Sequence, residues 1–263
     1  MNLIDQPILI TGAAGFIGSN LLRKLINKKY LVHVVLSKKS DLWRIKDLKN
    51  NFILHYVNLE NDKEIKKVIN IIKPKSIFHL AAHGAYSFQK NKERIKKVNF
   101  DATVNLIENC KIYGFTKFIN TGSSSEYGFR NNNMKESDLV TPNSDYATFK
   151  SASSIYCQYQ AIYNKLPIVT FRPFHVYGPY ESASRLIPTL ISNLANNINP
   201  KLVSPNISRD LIYIDDVIDI YIRSCGIKEV NGEIINLASG KNTQLKKIFS
   251  VIKKETNSKI TPI

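Results

Sequence analysis

Two side chains four residues apart, Tyr146 and Lys150, have the types and the spacing to move a proton. They lie in Tyr146-Ala147-Thr148-Phe149-Lys150, inside a helical pattern at about 144–164, so both fall on one helix face. A phenol titrates at about pH 10, too high to exchange protons readily at neutral pH. An ammonium beside it stabilises the phenolate and lowers that value, which makes Tyr146 a usable acid and base. Tyr-x-x-x-Lys pairs also arise on helices by chance, so the pair needs its neighbours. Upstream, Ser123-Ser124-Ser125 follows Thr121-Gly122 at the carboxyl end of a predicted strand. A hydroxyl there could bond a substrate oxygen and position it for Tyr146. A solvated serine-rich turn is the alternative.

These groups need a scaffold. Strand candidates fall at 7–11, 31–36, 52–57, 76–80, 116–121 and 166–172, with helical patterns at about 16–28, 41–49, 61–73, 91–113 and 144–164. Strands alternating with helices predict a parallel sheet covered on both faces. Right-handed crossovers make it a Rossmann-like, doubly wound α/β fold. Its ligand crevice lies at the carboxyl ends of the strands.

The first strand runs into Thr11-Gly12-Ala13-Ala14-Gly15-Phe16-Ile17-Gly18 and then into a helix. Strand, glycine turn and helix together form a context for binding a dinucleotide. Gly12 allows a sharp turn, and Gly15 keeps side chains away from a pyrophosphate. Gly18 lets the helix lie close on the sheet. From Pro173 onward the rhythm breaks into a short helix at 188–197, a strand at 211–214, a helix at 215–225, a strand at 233–237 and a last helix from Thr243. Residues 1–172 are read as a dinucleotide-binding domain. Residues 173–263 are read as a smaller C-terminal substrate lobe closing over the crevice, part of it packing back on the first domain.

Composition narrows the classes. The 263 residues are 43% hydrophobic and 22% charged, an ordinary globular profile with ample chain for a core. The net charge of +16 comes from lysines set mostly in helical patterns, which reads as a solvated surface. No zinc finger, helix-turn-helix signature or basic stripe with interleaved aromatics accompanies it, so no nucleic-acid partner is expected. A positive field would equally attract an anionic substrate. Cys110, Cys157 and Cys225 are far apart, without metal spacing, and are expected to be buried free thiols with no metal site. No apolar run reaches transmembrane length and no cleavable signal is evident, so a cytoplasmic protein away from membranes is expected.

Seven segments then stand in order: the glycine turn at 12–18; His79-Leu80-Ala81-Ala82; Asn99 with Thr103 and Asn105; Ser123 to Tyr127-Gly128; Tyr146 with Lys150; Arg172-Pro173-Phe174-His175-Val176-Tyr177-Gly178-Pro179; and Arg209-Asp210-Leu211-Ile212-Tyr213-Ile214-Asp215-Asp216. With these the chain resembles the extended short-chain dehydrogenases/reductases, in the NAD(P)-dependent sugar-nucleotide epimerase/dehydratase superfamily. The resemblance implies that Ser123 is the catalytic hydroxyl and Tyr146 the acid/base. Lys150 would hold the nicotinamide ribose and tune Tyr146. Further cofactor contacts are implied for Gly12, Gly15, Phe16, Ile17, Gly18, Ala81, Ala82 and Asn99. Asn58, with Leu59 beside it, takes the place of an Asp that the family often has near the adenine. Arg209 resembles the residue that grips the substrate diphosphate, a task suited to a guanidinium fork. An ion pair with Asp210 or Asp216 is the alternative. His83, Ser124 and His175 are candidate substrate contacts, although a lone histidine more often packs or bonds structurally.

The resemblance also implies a homodimer through the helices at 91–113 and 144–164, whose apolar faces (Val98, Ala102, Ile155) could instead cover the sheet. Members usually continue past the strand at 233–237, so the substrate lobe is expected to be short. The 4,6-dehydratases carry Asp and Glu after the catalytic Thr. Ser124 and Ser125 stand there in this chain, which argues against dehydration. Cofactor choice turns on the end of the second strand, Leu36-Ser37-Lys38-Lys39-Ser40. Hydroxyls and ammoniums at Ser37 and Lys38 favour NADP over NAD, with Asp41 as the residue that could reverse the preference. The expected activity is hydride transfer at a carbon of a nucleotide-activated sugar, as a 4-epimerase or a 4-keto-sugar reductase. A non-catalytic NAD(P)-binding redox sensor is the alternative, and the intact Ser123, Tyr146 and Lys150 set argues against it.

Overall fold

The structure is a computed structural model that describes residues 4–130, 133–200, 204 and 206–260. Its strands are β1 (Ile8–Thr11), β2 (Val32–Leu36), β3 (Ile53–Tyr56), β4 (Ser76–His79), β5 (Lys117–Thr121), β6 (Ile168–Pro173), β7 (His175–Tyr177), β8 (Ser208–Tyr213), β9 (Ile234–Leu237) and β10 (Asn242–Gln244). Its helices are α1 (Phe16–Asn27), α2 (Asp62–Ile72), α3 (Lys92–Lys96), α4 (Ala102–Tyr113), α5 (Asp145–Tyr163), α6 (Leu186–Ala195), α7 (Ile214–Ser224) and α8 (Leu245–Glu255).

Seven strands form a parallel sheet in the order β3-β2-β1-β4-β5-β6-β9. This is the doubly wound arrangement, in which the winding reverses between β1 and β4 and opens a crevice at the carboxyl ends of both. β1, β4, β5 and β6 are buried along their whole length, as the near-continuous apolar runs of a doubly covered sheet require. On one face Leu9, Ile77 and Phe118 pack with Ile65 and Ile69 of α2, Leu106 and Ile107 of α4, and Cys157 and Ala161 of α5. Phe171 of β6 stacks on Tyr221 of α7 at 5.2 Å between ring centroids.

Local signals explain the element ends. Asn61 caps α2 by accepting from the backbone N–H groups of Lys63 and Glu64. The helix stops at Lys73, in the left-handed conformation just before Pro74. Ser144 caps α5 by accepting from Ala147 N.

The chain divides into two compact units, Met1–Pro173 with Asp215–Leu237, and Phe174–Ile214 with Ala238–Ile263. In the second unit β10 pairs antiparallel and β7 parallel with β8. Leu190 and Leu194 of α6 pack there with Leu245, Ile248 and Phe249 of α8.

Two local expectations need correction, and two short strands were not foreseen. The predicted helix at 41–49 is a 3₁₀ turn at Lys46–Leu48 only. Asp41 Oδ1 accepts from Trp43 N, which turns the chain before a helix can start, and Ile45 is the lone buried side chain of the stretch. The predicted helix at 91–113 is broken by a π turn at Lys97–Asp101. β7 and β10, three residues each, are too short to show a strand period. No described helix is long and apolar enough to cross a membrane. The three cysteines are free, with Cys110 and Cys157 buried.

Candidate functional site

The glycine turn is built by close backbone approach. Gly12 has φ +74°, and a Cβ there would lie 2.6 Å from Ala81 N. A Cβ on Gly18 would lie 2.3 Å from Gly12 O and 2.9 Å from Ala13 Cα. The space kept by Gly18 therefore serves the turn's own backbone, where the sequence suggested helix-to-sheet packing. Gly15 is the N-cap of α1, and its N–H bonds Gly12 O at 2.9 Å. The first turn of α1, which holds Phe16, Ile17 and Gly18, carries no acidic residue. Unpaired N–H groups, the positive helix end and the position at the winding reversal fit a dinucleotide pyrophosphate.

The loop after β4 lies across from this turn. His79, fully buried, bonds Thr11 Oγ1 through Nδ1 at 2.7 Å and Thr103 Oγ1 through Nε2 at 3.0 Å. Burial, aided by the Lys150 charge, pulls His79 down to about 3, so it is a neutral strut. Thr11 Oγ1 accepts from Ala81 N at 3.3 Å, which ties the Ala81-Ala82 loop to the end of β1. Asn99, buried in the π turn, accepts from His83 N at 3.0 Å and donates to His83 O at 2.6 Å. Its side chain thus clamps the loop, and any approach to a cofactor is through the backbone it holds.

The end of β2 offers no carboxylate. Ser37 Oγ accepts from Lys39 N, and Lys38 is exposed. Arg44, which sequence reasoning missed, reaches back from beyond this loop. Its Nη1 donates to Ala14 O at 3.3 Å, and its guanidinium lies 4.3 Å over the Trp43 ring. Nothing in the spacing after β2 announces it. Asn58 is exposed after β3, where its Oδ1 accepts from Glu60 N and its own N–H bonds Glu64. Leu59 packs against the α2–α4 core.

The proton-transfer candidates converge at the end of β5. Lys150 is buried, and its ammonium donates to Thr121 O at 2.8 Å. Burial pulls it down to about 8, against the opposing charge of Glu126. Ser123 Oγ accepts from Ser125 N at 3.1 Å, which leaves its hydroxyl hydrogen to donate. Ser123 N donates to Glu126 Oε1 at 2.8 Å, so Ser123 and Glu126 form a capping box on the 3₁₀ turn Ser124–Tyr127. Ser154 Oγ donates to the same Oε1 at 2.9 Å. Tyr146, Lys150 and Ser154 recur every four residues along α5. Lys150 meets Thr121 at the end of β5 and Ser154 meets Glu126 in the turn that follows, so half-buried Tyr146 heads the same stripe. Ser-x-x-Glu was readable in the sequence as a capping box and was overlooked, and Arg172, quoted there only as part of a segment, is the one charged residue of β6.

In the second unit, His175 is exposed on β7 opposite Leu211. Arg209, on β8 opposite Thr243, donates through Nη1 to Ser208 O at 3.0 Å. Asp210 accepts instead from Ser239 N, Ser239 Oγ and Gly240 N. Among the described residues Arg209 makes no ion pair.

Comparison with known proteins agrees with this fold. The model of the NAD dependent epimerase/dehydratase family matches residues 8–238. The chain is 30% identical to dTDP-D-glucose 4,6-dehydratase of Dictyostelium discoideum over 255 residues, spanning 87% of this chain and 58% of that protein. It is 27% identical over 271 residues to dTDP-4-dehydro-6-deoxyglucose reductase of Escherichia coli, spanning 98% and 84%. The structure of UDP-glucuronic acid 4-epimerase from Bacillus cereus, in complex with UDP-glucuronic acid and NAD, is similar at a TM-score of 0.83. That likeness has 27% identity and covers 97% of this chain and 85% of that one.

Proposed function

This chain belongs to the NAD-dependent epimerase/dehydratase family, and from that premise we propose that it is an oxidoreductase acting on a nucleotide-activated sugar, with NADP(H) as its dinucleotide. The observation that carries the reading is the α5 stripe of Tyr146, Lys150 and Ser154 beside the turn that bears Ser123. Bound NADP(H) supplies or takes up the hydride at a sugar carbon. Ser123 donates its hydroxyl hydrogen to the oxygen on that carbon and orients it. Tyr146 gives that oxygen a proton in reduction and takes one in oxidation. Lys150 holds the positive charge that supports the tyrosinate and binds the nicotinamide ribose.

Gly15 leaves room for the pyrophosphate on the turn that Gly12 and Gly18 allow to close, and Phe16, Ile17, Ala81 and Ala82 are assigned to the cofactor beside it. Ser37, Lys38 and Arg44 support NADP over NAD, because hydroxyls and cations suit a ribose phosphate that a carboxylate would repel. Asn58 is assigned to the adenine end. Arg209 is assigned to the substrate diphosphate, and His83, Ser124 and His175 to the sugar side.

Two outcomes share this chemistry. Reduction of a nucleotide-linked 4-keto sugar is the first reading, because net reduction draws on NADPH. A 4-epimerase is the second, favoured by the likeness to the Bacillus cereus enzyme. Dehydration is disfavoured because Ser124 and Ser125 carry no carboxyl group. We further assign a homodimer to the outer face of α4 and α5, where Ile112, Ile155, Tyr159, Ile162 and Tyr163 are exposed.

The test is a panel of UDP-, dTDP-, CDP- and GDP-linked sugars and 4-keto sugars with NADPH, followed by nicotinamide absorbance and product NMR. Stoichiometric NADPH loss identifies a reductase. An inverted sugar without net loss identifies an epimerase. Cofactor binding with neither product overturns the proposal in favour of a sensor. Full turnover by Tyr146→Phe overturns the mechanism.

A further inference from the structure

Glu126 lies outside the set of residues that the proposed reaction uses, yet it is the most elaborately held side chain near it. It is fully buried. Oε1 accepts from Ser123 N at 2.8 Å and from Ser154 Oγ at 2.9 Å, while Oε2 accepts from Arg172 Nε at 2.8 Å. Arg172 is itself buried. It donates through Nη1 to Tyr127 OH at 2.9 Å, with its guanidinium 4.7 Å over the Tyr127 ring. Tyr127 OH in turn donates to Asn236 Oδ1 at 2.9 Å. A Cβ on Gly122 would lie 2.5 Å from Glu126 Oε1, so the strand end is shaped around the carboxylate.

A 3₁₀ turn does not need this. An exposed serine cap or a glutamine would satisfy the same N–H groups. Burying a carboxylate with a guanidinium costs desolvation that a neutral packing of equal volume avoids, so stability is a poor reason for the pair. What the carboxylate adds is a fixed negative charge paired with buried Arg172 and set against Gly122, next to the Thr121 carbonyl to which buried Lys150 donates. The other titratable groups near Lys150 are Tyr146, one turn before it on α5, Cys157 on the same helix and His79 on β4. Burial pushes the Cys157 thiol up to about 12 and holds His79 at about 3, so both are neutral near pH 7. Glu126 is the anion that opposes the desolvation of Lys150.

We propose that Glu126 is a positioning residue with two tasks, fixing the backbone of Ser123 through its N–H and providing the buried anion that keeps Lys150 an ammonium. Arg172, Ser154 and Tyr127 hold the carboxylate in place for both. This rests on the reading of Ser123, Tyr146 and Lys150 given above.

Two substitutions separate the tasks. Glu126→Gln keeps an acceptor for Ser123 N and removes the charge, whereas Glu126→Ala removes both. The ionisation of Lys150 is read directly in protein labelled with [ε-13C]lysine, its signal identified by loss in Lys150→Met. Neither sugar nor cofactor is needed. Removing a neighbouring charge is expected to lower the Lys150 midpoint by about 1 unit or more in both variants. Amide exchange at Ser123 is expected to accelerate in Glu126→Ala and to stay slow in Glu126→Gln. In turnover assays the alkaline limb of kcat/KM is expected to move to lower pH by the same amount as the midpoint.

Glu126→Gln leaves Arg172 buried without its partner, so Glu126→Gln/Arg172→Met serves as the variant that retains the fold. It is expected to move the Lys150 midpoint in the same direction but by less, because the Arg172 cation is lost with the carboxylate. A Lys150 midpoint that falls in neither Glu126→Gln nor the double variant overturns the proposal and leaves Glu126 as a turn cap. Wild-type protein that turns over nothing in the panel overturns the functional reading instead, so the two failures are distinct.

Discussion

Lys150 donates its ammonium to the carbonyl oxygen of Thr121 at 2.8 Å, two residues before Ser123. The bond joins the middle of α5 to the end of β5, so the proposed proton donor, its cation and the proposed orienting hydroxyl share one frame. Rigidity matters because a positioned acid or base loses most of its advantage when its geometry is loose.

Lys150 titrates at about 8 in the folded chain against an ordinary 10.5. Turnover is expected to fall as pH rises past about 8, because the tyrosinate loses its counter-charge. Stability runs the other way. Below about 8 both folded and unfolded chains carry the proton, and the folded one bears the buried charge. Between the two values only the unfolded chain holds it, so stability rises with pH across that window. A pH series of kcat/KM beside thermal unfolding checks both limbs. Lys150→Met is expected to abolish the rise in stability, and a rise that persists in the variant contradicts the assignment.

Trp43 is the single tryptophan of the chain and lies under the Arg44 guanidinium. Its emission is therefore a probe of cofactor binding that needs no turnover. NADPH is expected to quench it. Arg44→Ala is expected to weaken NADPH binding by about tenfold or more, the worth of a charge-assisted hydrogen bond, and NADH binding by much less. Equal losses for both cofactors would remove Arg44 from the choice between them.

Gly18 and Gly15 are expected to fail differently when changed to alanine. Gly18→Ala drives a Cβ to 2.3 Å from Gly12 O, against backbone that can yield only by moving the turn. It is expected to cost about 1–3 kcal/mol of stability and to lose dinucleotide binding. A Cβ on Gly15 meets only Gly12 O, at 3.1 Å. Gly15→Ala is expected to melt near the wild type and still bind poorly, since its methyl group would face the pyrophosphate. Urea unfolding paired with NADPH titration separates the two.

Ile155 and Tyr163 are 55% and 75% exposed on the outer face of α5. Light scattering is expected to give twice the chain mass of 29.9 kDa for the wild type and the single mass for Ile155→Glu/Tyr163→Glu. Circular dichroism should not change between them. A wild-type monomer would mean that this face serves something other than a second copy.

Period and punctuation carried most of the architecture. Alternating apolar runs and helical stripes announced the parallel sheet, because burial on both faces writes itself into residue order. Gly12 could be read as a forced turn, since few other residues tolerate its φ. Tyr146 and Lys150 could be named as a candidate pair from spacing, whereas Ser123 was singled out of its serine run by the family resemblance. The failures were local. Asp41 turned the chain with its own side chain where a helix was expected, and β7 and β10 were too short for any period to show.

Glu126, Arg172, Arg44 and His79 belong to the other class. Each acts across long separations in sequence: Glu126 on Arg172 from 46 residues away, Arg44 on Ala14 from 30, and His79 on Thr11 from 68. Spacing along a chain encodes which face of an element a side chain takes, because that depends on local dihedrals. Which elements then meet depends on how the whole sheet is wound. Burial, pairing and the ionisation of Lys150 follow from that winding alone, and so they appeared only with the folded structure.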